Sequence, residues 1–123
     1  MILVDTSVWI DHLRRSDAAL VRQLDAGNVL THPFVIGEIA CGHLPRRGET
    51  LLLMGKLPLA PVVGHAEALG FIERYDLAGQ GVGYVDMHML ASARLARTQL
   101  WTRDKRLAQA AAALGIAYRS AGG

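Results

Sequence analysis

Two segments near opposite ends of the chain are built alike, and their likeness limits the folds open to it. Ile2-Leu3-Val4 is an apolar run that stops at Asp5, and Gln99-Leu100-Trp101-Thr102 is a second short run that stops at Arg103 and Asp104. Short apolar runs of this kind, bounded by polar residues, read as strands buried on both faces. The intervening chain is largely helical in period. A helix is expected over about 7–14, and a second follows Ser16-Asp17 with Leu20, Val21 and Leu24 on one side, ended by Gly27-Asn28. Val29-Leu30 reads as a short strand, and Pro33 opens a helix through Phe34, Val35, Ile36, Ile39 and Ala40 to about Cys41 or Gly42. Residues 43–48 form a basic loop, and 50–57 a further apolar helix. Pro58 and Pro61 bracket an extended segment ending in a strand at Val62-Val63. A helix over 65–77 turns Ala68, Leu69, Ile72 and Tyr75 inward, and Gly79-Gln80-Gly81-Val82-Gly83 is a loop. Helices over about 85–98 and 105–114 flank the 99–102 strand, Ile116-Ala117-Tyr118 is a last strand, and the terminal Ser120-Ala121-Gly122-Gly123 is expected to fray.

Strands alternating with helices specify an α/β fold: a parallel central sheet of four to five short strands with helices on both faces. Such sheets bind ligands beyond the C-terminal ends of their strands. At 123 residues, half of them apolar, the chain is expected to be one domain, 1–123. A lone cysteine, Cys41, excludes an internal disulfide and a cysteine-built zinc cluster. The apolar N-terminus is broken by Asp5 and Asp11 and has no basic lead, so it makes a poor secretory signal. No apolar window is long enough for a membrane span, and a cytoplasmic protein is expected.

The chemistry is expected where the strands end. Asp5 and Asp104 lie at matching positions, so neighbouring strands would let them share one ion. Glu38 is the only charge between Pro33 and Gly42, at the flank of an apolar helical stripe. Asp86 starts a helix between the glycine-rich loop and Met89, Leu90 and Ala93. Taken singly, Asp5, Asp86 and Asp104 are also good helix caps, and Glu38 could pair with an arginine or reach solvent. Taken together, four carboxylates in apolar settings point to a shared site. Two carboxylates about 5 Å apart repel by roughly 3 kcal/mol at an effective dielectric near 20. A cluster must therefore take up protons or bind a cation, and all-oxygen ligands select Mg²⁺ or Mn²⁺. One or two such ions suit phosphodiester hydrolysis. The net charge of +2 says little by itself, but with these four acids set aside thirteen basic residues face seven acidic ones. That surplus of six suits a polyanion.

Four segments carry a resemblance: Val4-Asp5-Thr6-Ser7; Ile36-Gly37-Glu38-Ile39; Gly83-Tyr84-Val85-Asp86-Met87-His88-Met89-Leu90-Ala91; and Leu100-Trp101-Thr102-Arg103-Asp104-Lys105-Arg106-Leu107. In this order and over nearly the whole length, the chain resembles PIN-domain proteins, most of all the VapC toxins of VapBC toxin–antitoxin pairs. The resemblance implies a PIN fold and an Mg²⁺- or Mn²⁺-dependent endoribonuclease. Asp5 and Asp86 are implied as the firmest metal ligands, with Glu38 and Asp104 completing the site directly or through water. Thr6 and Ser7 match a polar pair that supports the first Asp, and Thr102 a polar position near the last. A VapB-type antitoxin that wraps the toxin and blocks its site, and a toxin homodimer assembling with it into a heterotetramer or larger, are also implied.

Arg46, Arg47, Arg103, Lys105 and Arg106 are the best candidates for a phosphate-facing rim, with Arg94 a weaker one on a helix face. His43 and His88 have no spaced partner and read as surface or packing residues. Trp9 and Leu13 with residues 51–54 are core, or a groove for an antitoxin helix. Asp11 and Asp17 read as surface charges. Two other functions compete: a phospho-accepting receiver domain, also small and acidic at its strand ends, and a non-catalytic binding module on the same fold. The single Asp ending the first strand, with no lysine delivered by a late strand, speaks against the first. The intact acidic quartet speaks against the second.

Overall fold

The computed structural model describes residues 1–120. Its elements run β1 (Ile2–Val4), α1 (Thr6–Arg14), α2 (Ala18–Asp25), β2 (Val29–Leu30), α3 (Pro33–Ala40), α4 (Arg47–Gly55), α5 (His65–Arg74), α6 (Tyr84–Ala96), β3 (Gln99–Trp101) and α7 (Lys105–Ala113). The sheet is parallel with order β2-β1-β3, so β1 is central. That position explains its unbroken apolar run, in which Ile2, Leu3 and Val4 are all buried. The connection from β1 to β2 runs one way and that from β2 to β3 runs back past β1. Right-handed crossovers, the rule for parallel sheets, then carry their helices over opposite faces. Beside β1 the strand order reverses, and in parallel sheets that is where ligands bind, beyond the C-terminal ends.

Three strands form among the described residues, where four to five are expected. At one edge Leu59 makes a single bridge to Thr31, and Val62-Val63 is not a strand. Thr31 N donates to Pro58 O and Ala60 N to Thr31 O, and the pairing goes no further. Pro58 and Pro61 have no N–H to extend it. At the other edge Leu100 N donates to Ile116 O and Tyr118 N to Leu100 O, again one bridge, at Ala117. The sheet is thus three strands, or two ladders, wide with a one-residue contact on each side.

Helix ends depart from expectation for local reasons. α4 starts at Arg47, so the basic loop is shorter than residues 43–48. α5 stops at Arg74 because Asp76 is left-handed (φ 53°), and Leu69 is exposed rather than inward. The expected frayed end falls outside the described residues from 121 onward. α6 is buried from Met87 to Ala93 on every side and packs against β1, β3, α5 and α7. His88 is a packing residue there, between the rings of Phe34 and Tyr84.

His32 caps α3: it is fully buried, and its Nδ1 accepts from Phe34 N at 2.9 Å. Burial, aided by the nearby His88, pushes its pKa down to about 4. The unfolded chain therefore takes up this proton first as pH falls. The contribution to stability is whole above about 6.5 and is lost towards pH 4, by about 3 kcal/mol in full. His32→Asn keeps a cap acceptor and removes the titration. Denaturant unfolding at pH 7.5 and pH 5 should show a smaller loss in this variant than in wild type; equal losses would refute the assignment.

Candidate active site

The reversal point of the sheet gathers the acidic residues. Asp5 follows β1 and is buried at 5 % exposure, and its backbone N–H continues the ladder to Trp101 O at 2.9 Å. Its Oδ2 accepts from Ser7 Oγ at 2.8 Å, from Thr102 Oγ1 at 2.8 Å and, more weakly, from Ser7 N at 3.4 Å. The Ser7 and Thr102 hydroxyls, donating to Asp5, are free to accept in turn. Ser7 Oγ accepts from Arg103 N and Thr102 Oγ1 from Asp104 N. Thr102 thus bridges the first and last acids of the set, 97 positions from Asp5 and 2 from Asp104. Asp104 caps α7 through Oδ1, which accepts from Leu107 N at 2.9 Å. Glu38 is exposed on α3, and its Oε1 accepts from Thr6 Oγ1 at 2.8 Å.

Capping and clustering therefore do not compete. Asp5 and Asp104 are both caps, yet Oδ1 of Asp5 and Oδ2 of Asp104 have no protein partner among the described residues. The same holds for Oε2 of Glu38 and for both oxygens of Asp86. Asp86 is not a cap at all, since Gly83 holds that position and Asp86 lies in the first turn of α6. Each acid is held by one oxygen, or by its helix alone, and offers another.

Asp86 reports the convergence. Its pKa is raised to about 6, first by burial and then by the negative charges of Asp5, Asp104 and Glu38. Three carboxylates from three other elements are therefore near enough to oppose its ionisation. Among the described residues the only ion pairs are Arg103–Asp11 and Arg103–Asp17, so no cation of the chain neutralises the four. Nor are any three acidic, histidine or cysteine side chains drawn to ion-holding distance. The donor set is all oxygen and uncompensated, and this chemistry fits a hard divalent cation.

The basic residues divide. Arg103 does not face outward to phosphate: its guanidinium binds Asp11 and Asp17 and lies over the Trp101 ring, tying α1 and α2 to the end of β3. Its hydrogen bond holds Asp17 below the usual carboxylate range. Asp11 and Asp17 are thus halves of a clamp rather than idle surface charges. An i-to-j pairing so distant in sequence has no local signal. Arg47 donates to Ala40 O and Gly42 O at the end of α3, and Arg94 to Leu114 O. Arg46, Lys105 and Arg106 remain exposed without a carboxylate partner among the described residues. Arg106 lies against Gly81, where φ is +77° and a Cβ would fall on the guanidinium. Glycine there lets α7 brace the loop that leads to Asp86.

Because the folded pKa of Asp86 lies above its unfolded value, its stabilising contribution is present below about pH 4. It is lost as pH rises through about 6. Asp86→Asn should therefore make the protein, held in chelator, more stable at pH 7.5 by about 2 kcal/mol, with the gain vanishing towards pH 4. Thermal melts across this range measure it, and a pH-independent difference would refute the crowding of charge.

The PIN-domain family profile matches residues 2–113. Ribonuclease VapC32 of two Mycobacterium tuberculosis strains is 48% identical over 118 residues, covering 95% of this chain and 95% of that protein. Among solved structures, FitAB bound to the IR36 DNA fragment matches with a TM-score of 0.67 at 19% identity, covering 100% of both chains. FitAcB from Neisseria gonorrhoeae matches with a TM-score of 0.65 at 19% identity over 95% of each chain. At these identities the two structures speak to the fold alone, while the family profile and the mycobacterial relative speak to descent. The chain belongs to the PIN-domain family, and within it to the VapC ribonucleases.

Proposed function

We propose that the protein is an Mg²⁺- or Mn²⁺-dependent endoribonuclease, acting as a single cytoplasmic domain and as the toxin of a toxin–antitoxin pair. One observation carries the proposal. Asp86 is burdened by three other carboxylates and no arginine or lysine answers them. A protein has little reason to keep such a cluster unless a cation completes it. Asp5, Asp86, Glu38 and Asp104 would hold one or two ions through their unengaged oxygens. A metal ion, held there by these residues, would supply an activated water and offset charge on the phosphodiester.

The chain's own residues do the rest. Thr102 and Ser7 fix the Asp5 carboxylate, and Thr6 fixes Glu38, so that the ligands are oriented before any ion arrives. Asp86 gives up its proton near pH 6, so ion binding and activity rise with pH through that value. Arg46, Lys105 and Arg106 meet the phosphates on either side of the cut. The RNA is the polyanion that the basic surplus suits, and the ribonuclease name of the 48% identical relative supports that choice.

Partners follow the same reading. Trp9, Leu13, Leu53, Met54 and Leu57 line a cleft of about 370 Å³, and Leu13 also borders one of about 540 Å³ that reaches Glu38. Leu53, on its α4 side, stands exposed. This groove suits the apolar face of a VapB-type antitoxin helix, whose continuation would cover the acids. A homodimer, joined by antitoxin into a heterotetramer or larger, is the expected assembly.

Purified protein with Mg²⁺ or Mn²⁺ should cleave RNA, chelator should stop it, and Asp5→Asn or Asp86→Asn should abolish it. Cleavage undiminished in these variants would end the proposal. Absent cleavage in the wild type, with no heat of Mn²⁺ binding, would favour a non-catalytic module. Thr102→Val, which loses the bridge but no ligand, should raise the metal concentration for half-maximal activity about 10- to 100-fold. An unaltered metal dependence would show that the bridge plays no part in ion binding.

A further inference from the structure

Residues 102–104, which link β3 to α7, belong to no helix or strand. Yet they carry one acid of the site, Asp104, and the Thr102 hydroxyl that holds another, Asp5. Irregular connections are where folds usually allow motion. Here motion would run one way. The negative charges of Asp5 and Asp104 both bear on Asp86, so like charges press outward on the segment that carries Asp104. The segment needs a hold.

Arg103 supplies it at several points. Its backbone N–H donates to Ser7 Oγ at 2.9 Å, and Nη1 of its guanidinium donates to Asp11 Oδ2 at 2.8 Å. Ser7 and Asp11 are four residues apart on α1, so they share a face and lie about 6 Å apart along the axis. The main chain of Arg103 and the tip of its side chain are thus pinned to successive turns of one helix. A second prong, Nη2, binds Oδ2 of Asp17. Asp17 is itself fixed: its Oδ1 caps α2 through Leu20 N at 3.0 Å, and its backbone N–H donates to Nδ1 of His12 at 3.0 Å. The guanidinium also lies over the Trp101 ring, 5.8 Å from its centroid, at the end of β3.

Stability is a poor reason for this arrangement, because the Arg103 and Asp11 side chains are 36 % and 51 % exposed and ion pairs so open to solvent add little. Charge is a poor reason too, since a cation beside four carboxylates would oppose the binding of a metal ion. Position is what the geometry provides. The planar fork of arginine serves two acids in fixed directions, as the single ammonium of lysine does not. We propose that Arg103 is a positioning residue: by clamping residues 102–104 against α1 and α2, it holds Thr102 and Asp104 in register with Asp5 for a divalent cation. The inference rests on the metal-dependent reading of the site and adds to it the device that keeps Asp104 in place. Arg103 touches neither ion nor RNA in this scheme.

The test is Mn²⁺ binding to the whole protein by calorimetry, with melting curves to establish that each variant is folded. Arg103→Gln should weaken Mn²⁺ binding about tenfold, the lower end of what losing an outer partner of a metal ligand costs. The sign separates position from charge, because removing a cation beside an acidic site would by electrostatics alone tighten binding. Asp11→Asn combined with Asp17→Asn, which keeps a cap on α2, should weaken it as well. In chelator, amide exchange at Arg103 and Asp104 should quicken in Arg103→Gln while that of β1 stays as in wild type. The Mn²⁺ concentration for half-maximal RNA cleavage should rise by the same factor as the binding constant. When Arg103→Gln is combined with Thr102→Val, the two losses should fall short of their product, since both act on the same pair of acids. Mn²⁺ binding as tight as in wild type, or tighter, in either clamp variant would overturn the inference and leave the metal site standing. So would unchanged amide exchange, or losses that multiply in full. A wild type that gives no heat with Mn²⁺ would overturn the metal reading and the clamp's role together.

Discussion

The arrangement turns on one bridge. Thr102 donates its hydroxyl proton to Asp5 and accepts from the backbone of Asp104, fastening the end of β1 to the end of β3. Both strands deliver a carboxylate to the place where the sheet changes direction, and like charges brought together in this way push apart. The hydroxyl bridge, with Ser7 beside it, replaces water around Asp5 and directs one of its oxygens inward to the protein. Its other oxygen has no hydrogen-bond partner among the described residues. The same division recurs at Glu38, where Thr6 engages one oxygen, and at Asp104, where the helix backbone does.

Around this centre three arginines are engaged elsewhere. Arg103, next to Asp104 in sequence, turns to Asp11 and Asp17, and Arg47 and Arg94 bind carbonyls at helix ends. The acids therefore remain unneutralised, and Asp86, the partly buried one on α6, bears the consequence in its raised pKa. Stability is conceded at the point where a metal would recover it, a common relation between strain and function in active sites. The buried helix α6 serves both ends of the design: its middle fills the core, and its first turn carries Asp86 and Tyr84 to the surface.

Much of this was legible from residue order. The buried strands, the helix periods, the glycine loop before Asp86 and the four acids follow from patterns a few residues long. The errors have equally local causes. Val62-Val63 has strand composition, but two prolines leave too few N–H groups for a ladder, and Ile116-Ala117-Tyr118 pairs through one residue only. Leu69 fits an inward helical position by period, yet Ala68 and the flanking Phe71 and Ile72 take that face. The choice between cap and ligand for Asp5 and Asp104 was posed as an alternative because a sequence does not show that a carboxylate has two oxygens with two employments.

The sequence alone determined which chemistry was available: hard oxygen donors, a basic surplus, no thiol cluster, and short strands ending in acids. Only the tertiary structure decided that β1 and β3 are neighbours, that Thr102 joins their acids, and that Arg103 faces away from the site. The physical reason is range. Helix and strand periods are set by neighbours three or four positions away, whereas the contacts that define the site join residues as much as 97 apart. Such contacts depend on how whole elements pack, and that leaves no mark in a local pattern.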